Sequence, residues 1–267
     1  MPDRRPKVNI EAVRSRVEKK IKRASEYDAN LNFLIYGNPK VGKTRLASTA
    51  PEVLLVDVDE EGTDSVRADY DPRCIRIKTW TEINDIYWYL QAGDHPFESV
   101  AIDGLTGLQT LCMNFVLGDE ASRDASRDPD SPTPRIYQKV SQLMKIQITN
   151  FRNLPMNTIF TALSRTRDVG ELDDDSPHQI TGPSVSPAIQ SHVTAAVGTI
   201  GYVIKREVTV KARNSNKTRK VTRTRLVLDG MDGFILGERS NLFGNYVDGP
   251  NLTDMLETIK NGKRKET

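Results

Sequence analysis

The chain has 267 residues, with 38 Lys or Arg against 36 Asp or Glu, a net charge of +2, 37% hydrophobic and 28% charged residues. That length permits one large or two small domains with an ample core, and the charge balance excludes a polycation, so any nucleic-acid surface must be a local patch. No apolar run reaches membrane-spanning length, no leader pattern opens the chain, and Cys74 and Cys112 lack the spacing of a zinc site or disulfide scaffold, so a cytoplasmic protein with no membrane partner is expected.

Residues 1–28 read as a basic N-terminal helix. Ile10, Val13, Val17 and Ile21 recur at helical spacing, Asn9 suits the N-cap, and the outer face is basic. Such a face is solvated, docks another protomer, or meets DNA. A core domain is expected over 29–260, followed by a polar tail over 261–267.

The core opens with a short apolar strand, Leu31 to Tyr36. Gly37-Asn38-Pro39-Lys40-Val41-Gly42-Lys43-Thr44 then fits G-x-x-x-x-G-K-[ST] at every fixed position. This is the phosphate-binding loop of an NTPase, in its proper place between strand and helix. Gly37 and Gly42 let backbone approach phosphate, and the loop's N–H groups face anionic oxygens. Lys43 is expected on the β- and γ-phosphates and the Thr44 hydroxyl on Mg²⁺.

Val53 to Val58 is a continuous apolar run, as in a buried parallel strand. It ends in Asp57, Asp59, Glu60 and Glu61, at the sheet edge where open α/β sheets bind ligands, and one of these acids is a candidate for activating water. A short strand at Cys74–Ile77 and a helix over 81–90 follow. Phe97 to Asp103 is a strand ending in an acid, 60 residues downstream of the loop, and Asp103 is the expected partner of Thr44 around the metal. A helix over 106–117 leads to a polar stretch, 118–134, expected to be a mobile loop. Helix 137–151 and a buried strand over 157–163 come next, and Ser164 at that strand's end is a candidate γ-phosphate sensor. A second polar loop is expected over 168–182, then a helix over 187–196 and a strand over 197–204.

Strands at 207–211 and 224–228 read as a hairpin. Lys211, Arg213, Lys217, Arg219, Lys220, Arg223 and Arg225 make seven basic residues with no acid among positions 211–225. Such a tip suits nucleic-acid phosphates, and without aromatic residues it implies no base stacking. A solvated hairpin is the alternative. A capped helix over 251–259 closes the core. The fold class expected is therefore α/β, a mainly parallel central sheet flanked by helices with a C-terminal β-hairpin.

The stretches YGNPKVGKT, VLLVDVDEEG, SVAIDGLTGL, NTIFTALSRT, ITGPSVSPAI and GERSNLFG…NLTDMLETI follow one another in this order. Together they resemble the RecA-like, core-only ATPases of bacteriophages, a group that includes single-strand annealing and recombination proteins, over roughly residues 20–260. The resemblance implies a RecA-type sheet, ATP hydrolysis with Mg²⁺, a ring or filament of identical subunits, single-stranded DNA as partner and a single-strand-binding protein as a further one. It makes Glu60 the first choice for polarising the attacking water, with Asp59 and Glu61 beside it. It places DNA-contacting loops at 118–134 and 165–182. It also makes Arg239 an arginine finger for a neighbouring subunit, although Gly237 stands where a lysine is usual. The leading function is thus an oligomeric ATPase acting on single-stranded DNA. A nucleotide-gated loader with slow hydrolysis is the alternative, and a small-molecule phosphotransferase is disfavoured because no Arg-rich lid follows Asp103.

Overall fold

The computed structural model describes residues 9–23, 30–58, 62–123, 132–169, 178–211 and 218–262. Its centre is one large sheet. Strand β1 (Asn32–Gly37) lies between β5 (Asn157–Val169) and β7 (Thr199–Lys211), and beyond β5 come β4 (Ser99–Asp103), β2 (Val53–Asp57) and the edge strand β3 (Arg73–Arg76). All of these neighbours run parallel. Parallel strands need crossover helices, which cover both faces. Here α3 (Trp80–Ala92), α4 (Leu105–Arg123), α5 (Pro134–Arg152) and α6 (Pro187–Ala196) pack on one face, while α2 (Lys43–Ala47) and α7 (Leu252–Asn261) pack on the other. The period-2 alternation of β1 makes this possible: Leu34 and Tyr36 join the first core, Phe33 and Ile35 the second.

Antiparallel strands extend this frame. Strand β8 (Thr218–Val227) pairs with β7, β10 (Tyr246–Asp248) with β8, and β9 (Gly237–Glu238) with the start of β7. Strand β6 (His178–Pro183) pairs with the far half of β5.

Several boundaries differ from the sequence reading. The strands expected at 197–204 and 207–211 are one strand, β7. Strand β5 runs six residues past Leu163 into the segment expected as a polar loop, and β6 pairs with it. There the backbone is satisfied by ladder hydrogen bonds, without an apolar face to mark it. Helix α4 likewise continues through Gly118 to Arg123, where Lys139 of α5 bonds Asp119 at 2.7 Å and Arg123 pairs with Asp119 at 3.1 Å. Residues 124–131, the middle of the expected first loop, lie outside the described residues, as does the tail from 263.

The N-terminal helix α1 (Ile10–Glu18) has the expected cap, with Asn9 Oδ1 accepting from the Ala12 amide at 3.1 Å. None of its residues is buried, Ile10 and Val17 are exposed, and the helix ends before Ile21, which the sequence reading placed on its stripe and which is exposed too. Among the described residues no helix is long and apolar enough to cross a membrane.

Candidate functional site

The loop between β1 and α2 starts at the strand's end because Gly37 is pressed against β7: a Cβ there would lie 2.8 Å from the Val203 carbonyl oxygen. The chain then turns through Lys40 and Gly42, both at positive φ (63° and 105°), and Gly42 caps α2. At Gly42 a side chain would be strained. Lys43 folds back over the loop and donates to the carbonyls of Gly37 (3.2 Å) and Asn38 (2.9 Å). Asn38, Pro39 and Lys40 are exposed, while Val41 to Thr44 are half-buried.

Thr44 meets Asp103. Its Oγ1 donates to Asp103 Oδ2 at 2.6 Å, and Thr161 on β5 donates to Asp103 Oδ1 at 2.5 Å. Thr161 Oγ1 in turn accepts from the Gly104 amide at 3.0 Å. Burial pushes the Asp103 carboxyl up from its ordinary value, the two threonine hydroxyls pull it down, nearby Asp57 raises it and Lys43 lowers it. Ser164, three residues past Thr161, donates to Asn38 Oδ1 at 2.6 Å. The expected sensor strand thus touches the phosphate loop through Asn38.

Asp57 and Asp103 are register partners at the ends of β2 and β4. Residues 59–61 lie outside the described residues, and Glu60, Asp59 and Glu61 with them. The chain on either side is held at the site: the Val58 amide donates to the Asp103 carbonyl at 3.2 Å, and a Cβ on Gly62 would fall 2.7 Å from Asp103 Oδ2. Gly62 thus packs against Asp103, Asp57 and the Thr44 methyl, so the two carboxylates present hard oxygen donors side by side. This donor set fits a Mg²⁺ ion, which takes one or two carboxylates together with phosphate oxygens and water. Among the described residues no three or more His, Cys, Asp or Glu side chains gather at one place.

Two ribbons flank the loop. Leu163 is opposite Gly37, and beyond it β5 and β6 project as a two-stranded ribbon carrying exposed Arg165 and Arg167. On the other side Tyr202 is opposite Tyr36, and β7 continues nine residues further, paired with β8. Of the seven basic residues expected there, Arg213 and Lys217 lie outside the described residues, as do the side chains of Lys211 and Arg219. Arg223 is exposed, and Lys220 is exposed but 3.4 Å from Glu207 on the partner strand.

Arg225 is held within the chain. Its guanidinium is bidentate to Asp248 (2.6 and 2.7 Å) and lies 3.6 Å from the centre of the Tyr246 ring, so it ties β8 to β10. Arg239 is at the opposite end of the sheet from its own phosphate loop. Its amide donates to Gly198 and its guanidinium to Ala195, next to where β7 begins. The structure therefore brings Lys43, Thr44, Asp103 and Ser164 together and leaves Arg239 apart. Sequence reasoning missed Thr161 and Arg76, although each lies at or near the ligand end of a predicted strand.

The loop, the parallel sheet and the Thr44–Asp103 contact define a P-loop nucleotide-binding domain. A family model described as an AAA domain (AAA_24) matches residues 29–231, and the chain belongs to that family. An AAA domain is a nucleotide-binding ATPase module, and the match includes the loop, Asp103, Ser164 and the β7–β8 ribbon but not Arg239. A search of curated proteins finds no match to the chain.

Proposed function

We propose that this AAA-domain chain hydrolyses ATP and acts on single-stranded DNA as a homo-oligomer, in annealing or recombination of the bacteriophage RecA-like kind. The observation that carries the reading is the seat of the phosphate loop between two projecting ribbons, whose exposed Arg165, Arg167, Arg206 and Arg223 suit a polyanion.

In this reading Lys43 exchanges its loop carbonyls for phosphate oxygens, and the loop amides hold the same anion. Thr44 and Asp103 hold Mg²⁺, which when bound neutralises phosphate charge. Glu60, or a neighbouring acid, takes the proton of the attacking water. Ser164, through Asn38, relates loop position to the β5–β6 ribbon. Arg239 of one copy reaches the site of the next, which suits its distance from its own loop.

The test is phosphate release with and without single-stranded DNA, alongside filter binding across a salt series. Stimulation, with affinity falling steeply as salt rises, is the expected outcome. Failure to bind single strands at low salt, with or without ATP, overturns the DNA role.

A further inference from the structure

We propose that Asp57 is a second carboxylate of the divalent-cation site, facing the ion from β2 as Asp103 does from β4. The inference rests on the nucleotide-site reading above. Asp57 is fully buried, and neither of its carboxylate oxygens accepts a hydrogen bond among the described residues. Its neighbour across the sheet is another buried acid, Asp103. Two carboxylates side by side in a dry setting repel one another unless a cation lies between them or one is protonated.

The arginine that pairs with Asp57 makes no ion pair with Asp103 among the described residues. Arg76, at the end of β3, approaches from the outer side and its Nε lies 3.5 Å from Asp57 Oδ2, an ion pair longer than a hydrogen bond. The same guanidinium donates to Thr63 Oγ1, which pins the turn Gly62–Ser65. Arg76 therefore orients Asp57 and leaves its other oxygen, Oδ1, turned inward. That oxygen and Asp103 Oδ2 both lie beside Gly62: a Cβ built there would be 3.3 Å from the first and 2.7 Å from the second. Any side chain at Gly62 would press on the two carboxylates. The Thr44 methyl is 3.5 Å from the same position. Two carboxylates and a hydroxyl are hard donors, and an octahedral ion completes its shell with phosphate oxygens and water. Arg76 then acts as an outer partner that sets the angle of a ligand, as such partners do at metal sites.

The experiment titrates Mn²⁺ into the full chain with ADP present, following free Mn²⁺ by electron paramagnetic resonance, and compares wild type with Asp57→Asn and Asp103→Asn. Metal-free ADP affinity is measured in parallel. Asp57→Asn is expected to weaken Mn²⁺ by about ten-fold or more, with metal-free ADP affinity unchanged, a split that a purely structural role would not produce. If Asp103→Asn weakens Mn²⁺ and Asp57→Asn leaves it at the wild-type value, the inference is overturned and the nucleotide site stands. If wild type retains no Mn²⁺ with ADP, both are overturned. Should Asp57→Asn fail to fold, Asp57→Ser, which also removes the buried charge, is judged by the same titration.

Discussion

Thr44 and Asp103 are 59 residues apart in the chain, and their side chains share a 2.6 Å hydrogen bond. One comes from the first turn after the phosphate loop, the other from the end of the second strand away from β1, with β5 between them supplying Thr161 from the other side. The contact exists because the parallel strands end at one edge, so the residues that finish them converge.

Breaking that convergence should cost turnover more than nucleotide affinity. Asp103→Asn keeps the shape and removes the charge. ATP hydrolysis is expected to fall by about two to three decades, the loss typical of removing one preorganised electrostatic partner, while metal-free ADP binding changes little. Single-turnover phosphate release and calorimetry check the two halves.

Asn38 and Ser164 join the loop to β5 by a 2.6 Å hydrogen bond. Ser164→Ala removes the donor without touching the loop backbone. ADP affinity should change by no more than about ten-fold, since one exposed neutral hydrogen bond contributes only around 0.5–1.5 kcal/mol. Any stimulation of hydrolysis by single-stranded DNA should be reduced. Equal stimulation in wild type and variant would separate Ser164 from that coupling.

Two glycines should respond with opposite signs. At Gly37 an added methyl meets the Val203 backbone carbonyl at 2.8 Å, so Gly37→Ala should destabilise by about 1–3 kcal/mol, as overpacking does. Gly118 lies inside α4 with nothing within 4 Å of the built Cβ, so Gly118→Ala should stabilise by roughly 0.5–1 kcal/mol. Thermal unfolding of the two variants reads both signs.

The Arg225 hydrogen bonds hold the Asp248 carboxyl below its ordinary value. The folded carboxyl therefore takes up a proton less readily than the unfolded one. The stability it contributes is complete above the ordinary aspartate value of about 4 and is lost as pH falls through the lower, folded value. Asp248→Asn should flatten that part of the acid limb. Thermal midpoints of wild type and variant between pH 5 and pH 2 measure it.

Arg223 and Arg225 lie on the same ribbon and should separate in DNA binding. Arg223→Gln should lower affinity for single strands and reduce the slope of log affinity against log salt by about 0.7, one phosphate contact. Arg225→Gln should leave the slope unchanged and lower the melting temperature. A salt-dependent titration of both variants decides whether the tie to Asp248 holds in solution.

The phosphate loop was legible because its chemistry is local: eight consecutive residues carry the turn, the donors and the lysine. Asp103 was legible because an apolar run ending in an acid is a short-range signal. The ribbons were not. From Arg165 to Asp168 the chain is polar and exposed on both faces, so nothing in its hydropathy distinguishes a paired strand from a loop. The end of Arg225 in an internal pair was equally hidden, because Asp248 is 23 residues further on and reaches it only through the β8–β10 register. The acids after β2 read as one cluster; of them the described residues include Asp57, buried at the strand end.

The ribbons also set a distance. Between Leu163 and Val169 the chain covers about 20 Å, and between Tyr202 and Lys211 about 30 Å, at the rise of an extended strand. Physiological salt screens exposed charges beyond about 8 Å. A charge held at the outer end of either ribbon and a phosphate on the loop are therefore electrically silent to one another. Whatever passes between them must travel as displacement of the strands themselves, with Asn38 and Ser164 at the fulcrum.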